Sequence, residues 1–449
     1  MTRDETLELW QECEKARAVA LSSGRSKDEA HEAAKAIWNT WATVLLSQRQ
    51  KLESSGQFVA RRTPRGETEG LNVTTSTWLD YSSAIFCDFD FTTETSFNGF
   101  IFPGIANFGH WDTRKIGDFI PARFAKRIDF GSTMFCESAW FLGASFPDGT
   151  IFRNAVFHGD ALFGGVQFNS PSWFIGTTFS RDAWFSGAAF RGATRFINAI
   201  FRGSALFSGC DFASYTSFDG TRFLGEVDFS ALQVSGRFDL RQASFSSDVP
   251  SFVQANFSQA PQIDNIDIPM PGFFSVSNSE RIASYRALRR IAIQGQDYEN
   301  EWRAFKGEMR AKRGSAQKPW HVAFWINLIY DALSDFGWSV MRPFLIWLIS
   351  IMLFAVVYLI SAHRLTQFAG ACITKGGYTA IHWLNACLLS AKNAILFVGL
   401  DRGIQDQLVC IYGDTVPAWS AFIFMGQNLL SAVLIFLFLF AIRNQFRIK

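Results

Sequence analysis

The sequence predicts a β-solenoid preceded by helices and followed by a helical membrane module. Three observations predict it. Phenylalanine recurs with a period of 11 through the middle of the chain. Small residues and turn formers hold fixed offsets from each Phe. Two long uncharged apolar segments lie near the C-terminal end.

The repeat is justified first. Phe stands at 86, 97, 108, 119, 130, 141, 152, 163, 174, 185, 196, 207, 218 and 229, every step being 11. A second series lies five residues on, from Phe91 to Phe223, broken only at Thr113, so 26 of 27 positions are Phe. Two residues before most of them the side chain is small, as in Ala139, Ala161, Ser172, Ala183 and Ala205, or Thr133, Ala155, Thr177 and Cys210. Phe89, Phe100 and Trp111 break this rule, so the first turns are expected to be irregular. Two residues after the first-series Phe comes Gly143, Asn154, Gly165, Gly176, Gly187, Asn198, Gly209 or Gly220. Gly and Asn tolerate the positive φ that a sharp corner needs.

An 11-residue period also fits a right-handed helical supercoil. Glycine or asparagine in nearly every repeat excludes it, because each interior Gly costs a helix about 1 kcal/mol. The remaining solution is a coil of four short sides and 22 residues. From Phe86 to Phe245 it makes about seven coils and a rod of about 35 Å. Each buried Phe contributes ~2 kcal/mol, so the Phe residues are read as core.

Runs such as AWFLGASF and AVFHGDALFGGVQF resemble pentapeptide repeats in their Phe-rich form, over residues 81 to 257. The resemblance implies a right-handed quadrilateral β-helix. It implies little about function, because the repeat is a scaffold. The junction YDALSDFGWSVMRPFLIWL and the ending LFLFAIRNQFRIK resemble those of bacterial membrane-anchored pentapeptide-repeat proteins, with Phe336 where that family carries Tyr. That family carries no established activity, so the resemblance transfers architecture.

Residues 1–56 read as a helical cap, with a capping box at Ser26 and Glu29, an apolar face of Ile37, Trp41, Val44 and Leu45, and a stop at Gly56. Residues 57–80 read as a polar linker and 81–260 as the solenoid. Residues 275–340 read as a basic and amphipathic helical linker at a membrane interface, with ten Lys and Arg between Arg281 and Lys318. Residues 341–449 read as the membrane module. Its segments 344–362 and 415–442 carry no charge and are long enough to cross a bilayer. Between them, 379–399 is interrupted by His382, Asn385 and Lys392 and is expected to be a re-entrant or interfacial helix. Basic residues flank the two spans on their outer sides. The positive-inside rule then places both termini and the repeat in the cytosol of a bacterial cell, beneath its inner membrane.

No nucleotide-binding loop, nucleophile elbow, zinc motif or paired-acid frame occurs, and the histidines are scattered. No enzyme, catalytic residue, cofactor or metal site is expected. The seven cysteines lack metal-ligand spacing. Cys13, Cys87, Cys136 and Cys210 read as reduced thiols, and any oxidised pair falls among Cys372, Cys387 and Cys410. Residues 81–257 hold 16 acidic and 13 basic residues, too balanced for a DNA mimic, and no nucleic-acid partner is expected.

Two function classes remain. One is a membrane-anchored scaffold that binds a protein partner or itself. The other is a pore built from span, re-entrant helix and span, although AILFVGLDRG is no potassium-type filter. The scaffold needs an outward surface. The residue before each first-series Phe must face outward, since strand side chains alternate. Trp140, Leu162, Trp184 and Leu206 are then expected to stack in one interaction strip, with Ile151 and Trp173 in a second on the opposite side.

Overall fold

The computed structural model describes residues 2–58, 73–86, 90–91, 95–108, 122–272, 279–315, 320–363, 378–395, 411–412 and 418–446. The chain divides into two compact units, Met1–Ala311 and Lys312–Lys449.

The first unit is a four-sided parallel solenoid closed at both ends by helices. Every described strand has two residues, and four sheets of seven, eight, seven and seven strands form the sides. Ala139 pairs with Ala161, Ala161 with Ala183 and Ala183 with Ala205, which gives a coil of 22 residues. Phe rings stack directly on the rings of the next coil. Phe141, Phe163, Phe185 and Phe207 lie 4.8–4.9 Å apart with interplanar angles of 1–2°. Rings from adjoining sides meet edge-on, as Phe163 does Phe174 at 87°.

The inner small positions keep their polar atoms satisfied. The hydroxyls of Thr177 and Thr221 donate to the carbonyls of Phe152 and Phe196, and the Cys210 thiol donates to Phe185. Each bond reaches the preceding coil, so the dry core holds no orphaned hydroxyl there. The corner after each first-series Phe is a hydrogen-bonded turn. The amide of Ala144 donates to Phe141, and Gly143 between them has φ +68°. Asn154 and Asn198 take the same left-handed conformation.

One register step differs from the expected one. Asn107 pairs with Trp140, Thr95 with Ile128 and Ile101 with Met134, steps of 33 residues rather than 22. Phe108 stacks on Phe141, not on Phe130. Eleven residues are therefore added to the coil between these strands. Phe119, Thr113 and Trp111 lie outside the described residues. A smaller step occurs late, where Gln233 pairs with Asn256.

Helices α1 (Arg3–Ser22) and α2 (Lys27–Ser54) close the first coil. The Ser26–Glu29 capping box forms, and Gly56 follows the C-cap with φ +69°. The buried stripe of α2 is Ala30, Ala34, Trp38, Ala42 and Leu45. Ile37 and Trp41 pack only partly, and Val44 is exposed, which corrects the expected face. The alanines let α2 approach closely enough for Trp38 to stack on Phe86. Side chains also satisfy the open sheet edge. Thr6 accepts from the Ile85 amide, Asn39 bonds Gly99 and Ile101, and the Trp38 indole donates to Ile101. An uncovered edge would invite further strand pairing. A helix not expected from the linker, α3 (Val73–Ser82), buries Trp78, whose indole donates to Leu45 of α2.

The far end is closed in the same way by α4 (Ser279–Gln294) and α5 (Tyr298–Ser315), separated by Gln296 at φ +56°. Tyr285, Leu288, Ile291 and Ala304 join the solenoid core beside Ile263, Ile266 and Ile268. Asn300, Arg303 and Tyr285 donate to the carbonyls of Ile263, Ile266 and Pro269. Arg281 donates to both oxygens of Asp248 from its Nε and Nη2. Residues 279–311 are thus a cap of the solenoid rather than a linker along a membrane. Arg281, Arg303 and Arg310 bond its last coils, while Arg286 and Arg289 pair with Glu308 within the cap.

The second unit holds α6 (Val322–Ser334), α7 (Met341–His363), α8 (Tyr378–Ala394) and α9 (Ser420–Phe446). Helices α7 and α9 are antiparallel. Tyr358 bonds Gln427, Phe344 meets Phe438, and Asn444 donates to Gly337 just before α7. Residues 341–361 and 420–445 are long and apolar enough to cross a membrane.

Candidate interaction site

The expected strip exists as a ladder. In the first sheet the outward rungs run Asn107, Trp140, Leu162, Trp184, Leu206 and Asp228, each paired in register with the next. The apolar part therefore begins and ends between polar rungs. Leu162 is buried, and Trp140, Trp184 and Leu206 are half-buried, because neighbouring rungs shield one another. The indole N–H groups of Trp140 and Trp184 are buried and meet no acceptor among the described residues. The second strip lies in the third sheet as Asp129, Ile151, Trp173, Arg195 and Ser217. Arg127 sits over the Trp173 ring at 5.9 Å.

A third apolar column escaped the sequence reading. In the fourth sheet Ile101, Met134, Val156, Thr178 and Ile200 pair in succession before the second-series Phe. The same step of 22, applied to the second Phe series, finds Met134 to Ile200, while Ile101 joins only through the step of 33. Helix α2 bonds its first rung, Ile101.

Beside the first strip runs a corner of acids. Asp160 and Asp182 stand one coil apart, and Asp182 accepts from the Ser204 amide. Burial, with Asp182 nearby, pushes the Asp160 carboxyl up to about 6. Glu137 is also raised by burial, although Arg49 of α2 bonds it.

A family model for pentapeptide repeats, with nine copies, matches residues 141–189, 152–200 and 185–232. The solenoid carries pentapeptide repeats. No curated protein and no solved structure matches the chain. The match includes Leu162, Trp184 and Leu206 and begins one residue after Trp140, so most of the strip is mounted on pentapeptide repeats. No group of His, Cys, Asp and Glu among the described residues is arranged to hold a metal.

The second unit carries a site of opposite character. Its interior sets polar contacts beside a small apolar cluster of Ala355, Tyr358, Ala386, Leu389 and Ile411. The Arg313 guanidinium donates to Asn327 at 3.0 Å and to Asp331 at 2.6 Å, and both charged side chains are fully buried. Between α7, α8 and α9, Gln427 accepts from Tyr358 and Asn393 and donates to Ser390, whose hydroxyl donates to the Ile351 carbonyl. The outer surface is apolar. Trp325, Ile326 and Ile329 of α6 are exposed while Asn327, Asp331 and Ser334 on its other face are buried. On α7 and α9, Ile349, Leu353, Phe422, Met425 and Phe436 are likewise exposed. Cys387 on α8 is a free thiol, while Cys372 and Cys410 lie outside the described residues, as do the side chains of His363 and His382.

Proposed function

We propose that the chain is a membrane-anchored scaffold that presents a pentapeptide-repeat solenoid for protein–protein contact. The observation that carries the membrane half is the apolar exterior of the second unit. A water-exposed fold buries apolar faces and exposes polar ones. Here α6 does the reverse, and a buried Arg313–Asp331 pair holds it in that orientation. Surfaces of this kind are stable against hydrocarbon.

Antiparallel α7 and α9, with Gly337 and Asn444 joined at one end, support two spans whose flanks share one side. The basic residues before α7, with Arg443 near the end of α9, favour the cytosolic side of a bacterial inner membrane. Pentapeptide-repeat solenoids are typically structural or interaction proteins, which supports the other half. The ladder of Trp140, Leu162, Trp184 and Leu206 is the surface offered, as a partly exposed apolar column whose two indole N–H groups meet no acceptor among the described residues. The pore reading is less favoured. The polar side chains that α8 brings between the spans are bonded to one another, which suits packing better than conduction.

Membrane fractions washed with alkaline carbonate should retain the full chain, and release into the wash would overturn the anchoring. Trp140→Ser with Trp184→Ser should leave the solenoid folded and weaken recovery of co-purifying protein in mild detergent. Unchanged recovery would remove the ladder from the proposal, and ion flux from vesicles carrying the protein would restore the pore.

A further inference from the structure

Two polar side chains in the middle of helix α9 meet no hydrogen-bond partner among the described residues: Ser431, which is fully buried, and Asn428, which is not. Asn428 lies two turns into the helix, within the stretch long and apolar enough to cross a membrane. It is half-buried, and no described residue bonds it. Its neighbour Gln427 shows what satisfaction looks like. Gln427 is fully buried, its oxygen accepts from Tyr358 and Asn393, and its nitrogen donates to the carbonyl and the hydroxyl of Ser390. Those partners are therefore already engaged. Asn428 is turned away from them, towards the flank that carries exposed Ala421 and Met425 and half-buried Ala432. Water cannot serve the amide in hydrocarbon, and an unsatisfied polar group there costs several kcal/mol.

We infer that Asn428 pairs with Asn428 of a second copy of this chain, bringing two α9 helices together inside the membrane. The inference rests on the membrane anchoring proposed above. The chemistry selects a second copy. A carboxamide is one acceptor and two donors. Across a two-fold axis each Asn428 donates to the other, so a single residue type satisfies both copies. The flank suits approach next to Asn428, because Ala432 one turn on is small, while Met425 one turn back is flexible enough to pack against the second helix. Small residues with an interhelical Asn bond are the usual means by which helices associate in lipid, where apolar burial supplies no drive. The arrangement would also double the number of solenoids at one membrane site.

The test uses the full chain in phosphatidylcholine–phosphatidylglycerol vesicles, with Cys372, Cys387 and Cys410 replaced by serine. Ala432→Cys reports on the proposed flank and Phe422→Cys on a more outlying exposed position. Oxidation should cross-link Ala432→Cys into a dimer and leave Phe422→Cys largely monomeric. Adding Asn428→Leu should lower the Ala432→Cys dimer about tenfold at equal protein-to-lipid ratio, and Asn428→Gln should preserve most of it. A dimer unaffected by Asn428→Leu, equal cross-linking at both positions, or no cross-linking at Ala432→Cys would each overturn the inference. Carbonate washing of the same vesicles separates the two ideas. Protein retained but uncross-linked defeats only the pairing, whereas protein released defeats the anchoring and the pairing together.

Discussion

The two units solve the burial problem in opposite ways. In the solenoid the apolar groups are inside, as stacked Phe rings, and buried hydroxyls donate to a carbonyl of the preceding coil or to one two residues back. In the helical unit a charged pair and several amides are inside beside a small apolar cluster, and many Trp, Ile, Leu and Phe side chains face out. The contrast teaches that an apolar residue is not in itself a core signal. Phe174 and Phe422 are the same side chain, yet one is fully buried and the other 73 % exposed.

The largest expected effect tests the solenoid side of that contrast. Phe174 is stacked between Phe152 and Phe196. Phe174→Asp places an unpaired carboxylate there, which costs many kcal/mol unless it takes up a proton. The cooperative β transition should be lost by circular dichroism, and limited proteolysis should cut the rod. A folded Phe174→Asp protein with an unchanged melting curve would show that the stack is not the main support.

The matching experiment on the helical side removes a charge instead of adding one. Asp331→Ala leaves Arg313 buried with one carboxylate fewer. Breaking a buried pair from one side costs about 3–5 kcal/mol, whereas replacing both partners by apolar residues is often neutral. Asp331→Ala should lower thermal stability in detergent strongly, and Arg313→Leu with Asp331→Leu should recover most of the loss. Equal damage from the single and double variants would mean that the pair contributes by its own attraction rather than by mutual neutralisation.

A smaller effect with the opposite sign is expected at the acidic corner. The Asp160 carboxyl ionises at about 6 in the fold and near its ordinary value of 3.8 in the unfolded chain. The unfolded state therefore releases its proton first as pH rises, and stability falls through the window from about 3.8 to about 6. Asp160→Asn removes that loss. The variant should melt higher than the parent at pH 7.5 and match it at pH 4. A gain that persists at pH 4 would trace to packing instead of ionisation.

The sequence disclosed the repeat because every coil restates it. The corner glycines and asparagines, the capping box and the outward ladder all follow from the same offsets. The added segment between Phe108 and Phe124 stayed hidden for a physical reason. Eleven residues are half a coil, so the insertion preserves the Phe phase while moving every later residue to the opposite side. Pairing registers reveal it and Phe spacing does not. The interior of the helical unit was hidden for a different reason. Tyr358, Ser390, Asn393 and Gln427 come from three helices and share no period. Only their convergence makes them a cluster. The basic run after Arg281 misled because charge composition cannot distinguish a membrane-facing surface from Arg281 bonding Asp248 or Arg303 bonding the Ile266 carbonyl.

The smallest expected effect applies one substitution to both units. Gly187 sits at a coil corner with φ +69° and has open space around the position a Cβ would take. Gly187→Ala meets no atom, so its cost is backbone strain alone, about 1–2 kcal/mol for a left-handed residue with a side chain. Gly176 shares the conformation, but its Cβ would stand 2.5 Å from Asn154 Oδ1, so Gly176→Ala should cost more. Asn154→Gly should cancel the excess. Gly426 of α9 has equally open surroundings but ordinary helical backbone. Alanine there lowers the helix cost of glycine by about 1 kcal/mol, so Gly426→Ala should leave the helical unit as stable or slightly more so. Thermal melts of the three single variants should therefore order as Gly176→Ala lowest, then Gly187→Ala, with Gly426→Ala at or above the parent. If Gly187→Ala melts with the parent, the corners tolerate a side chain and the glycine rhythm of the repeat needs another explanation.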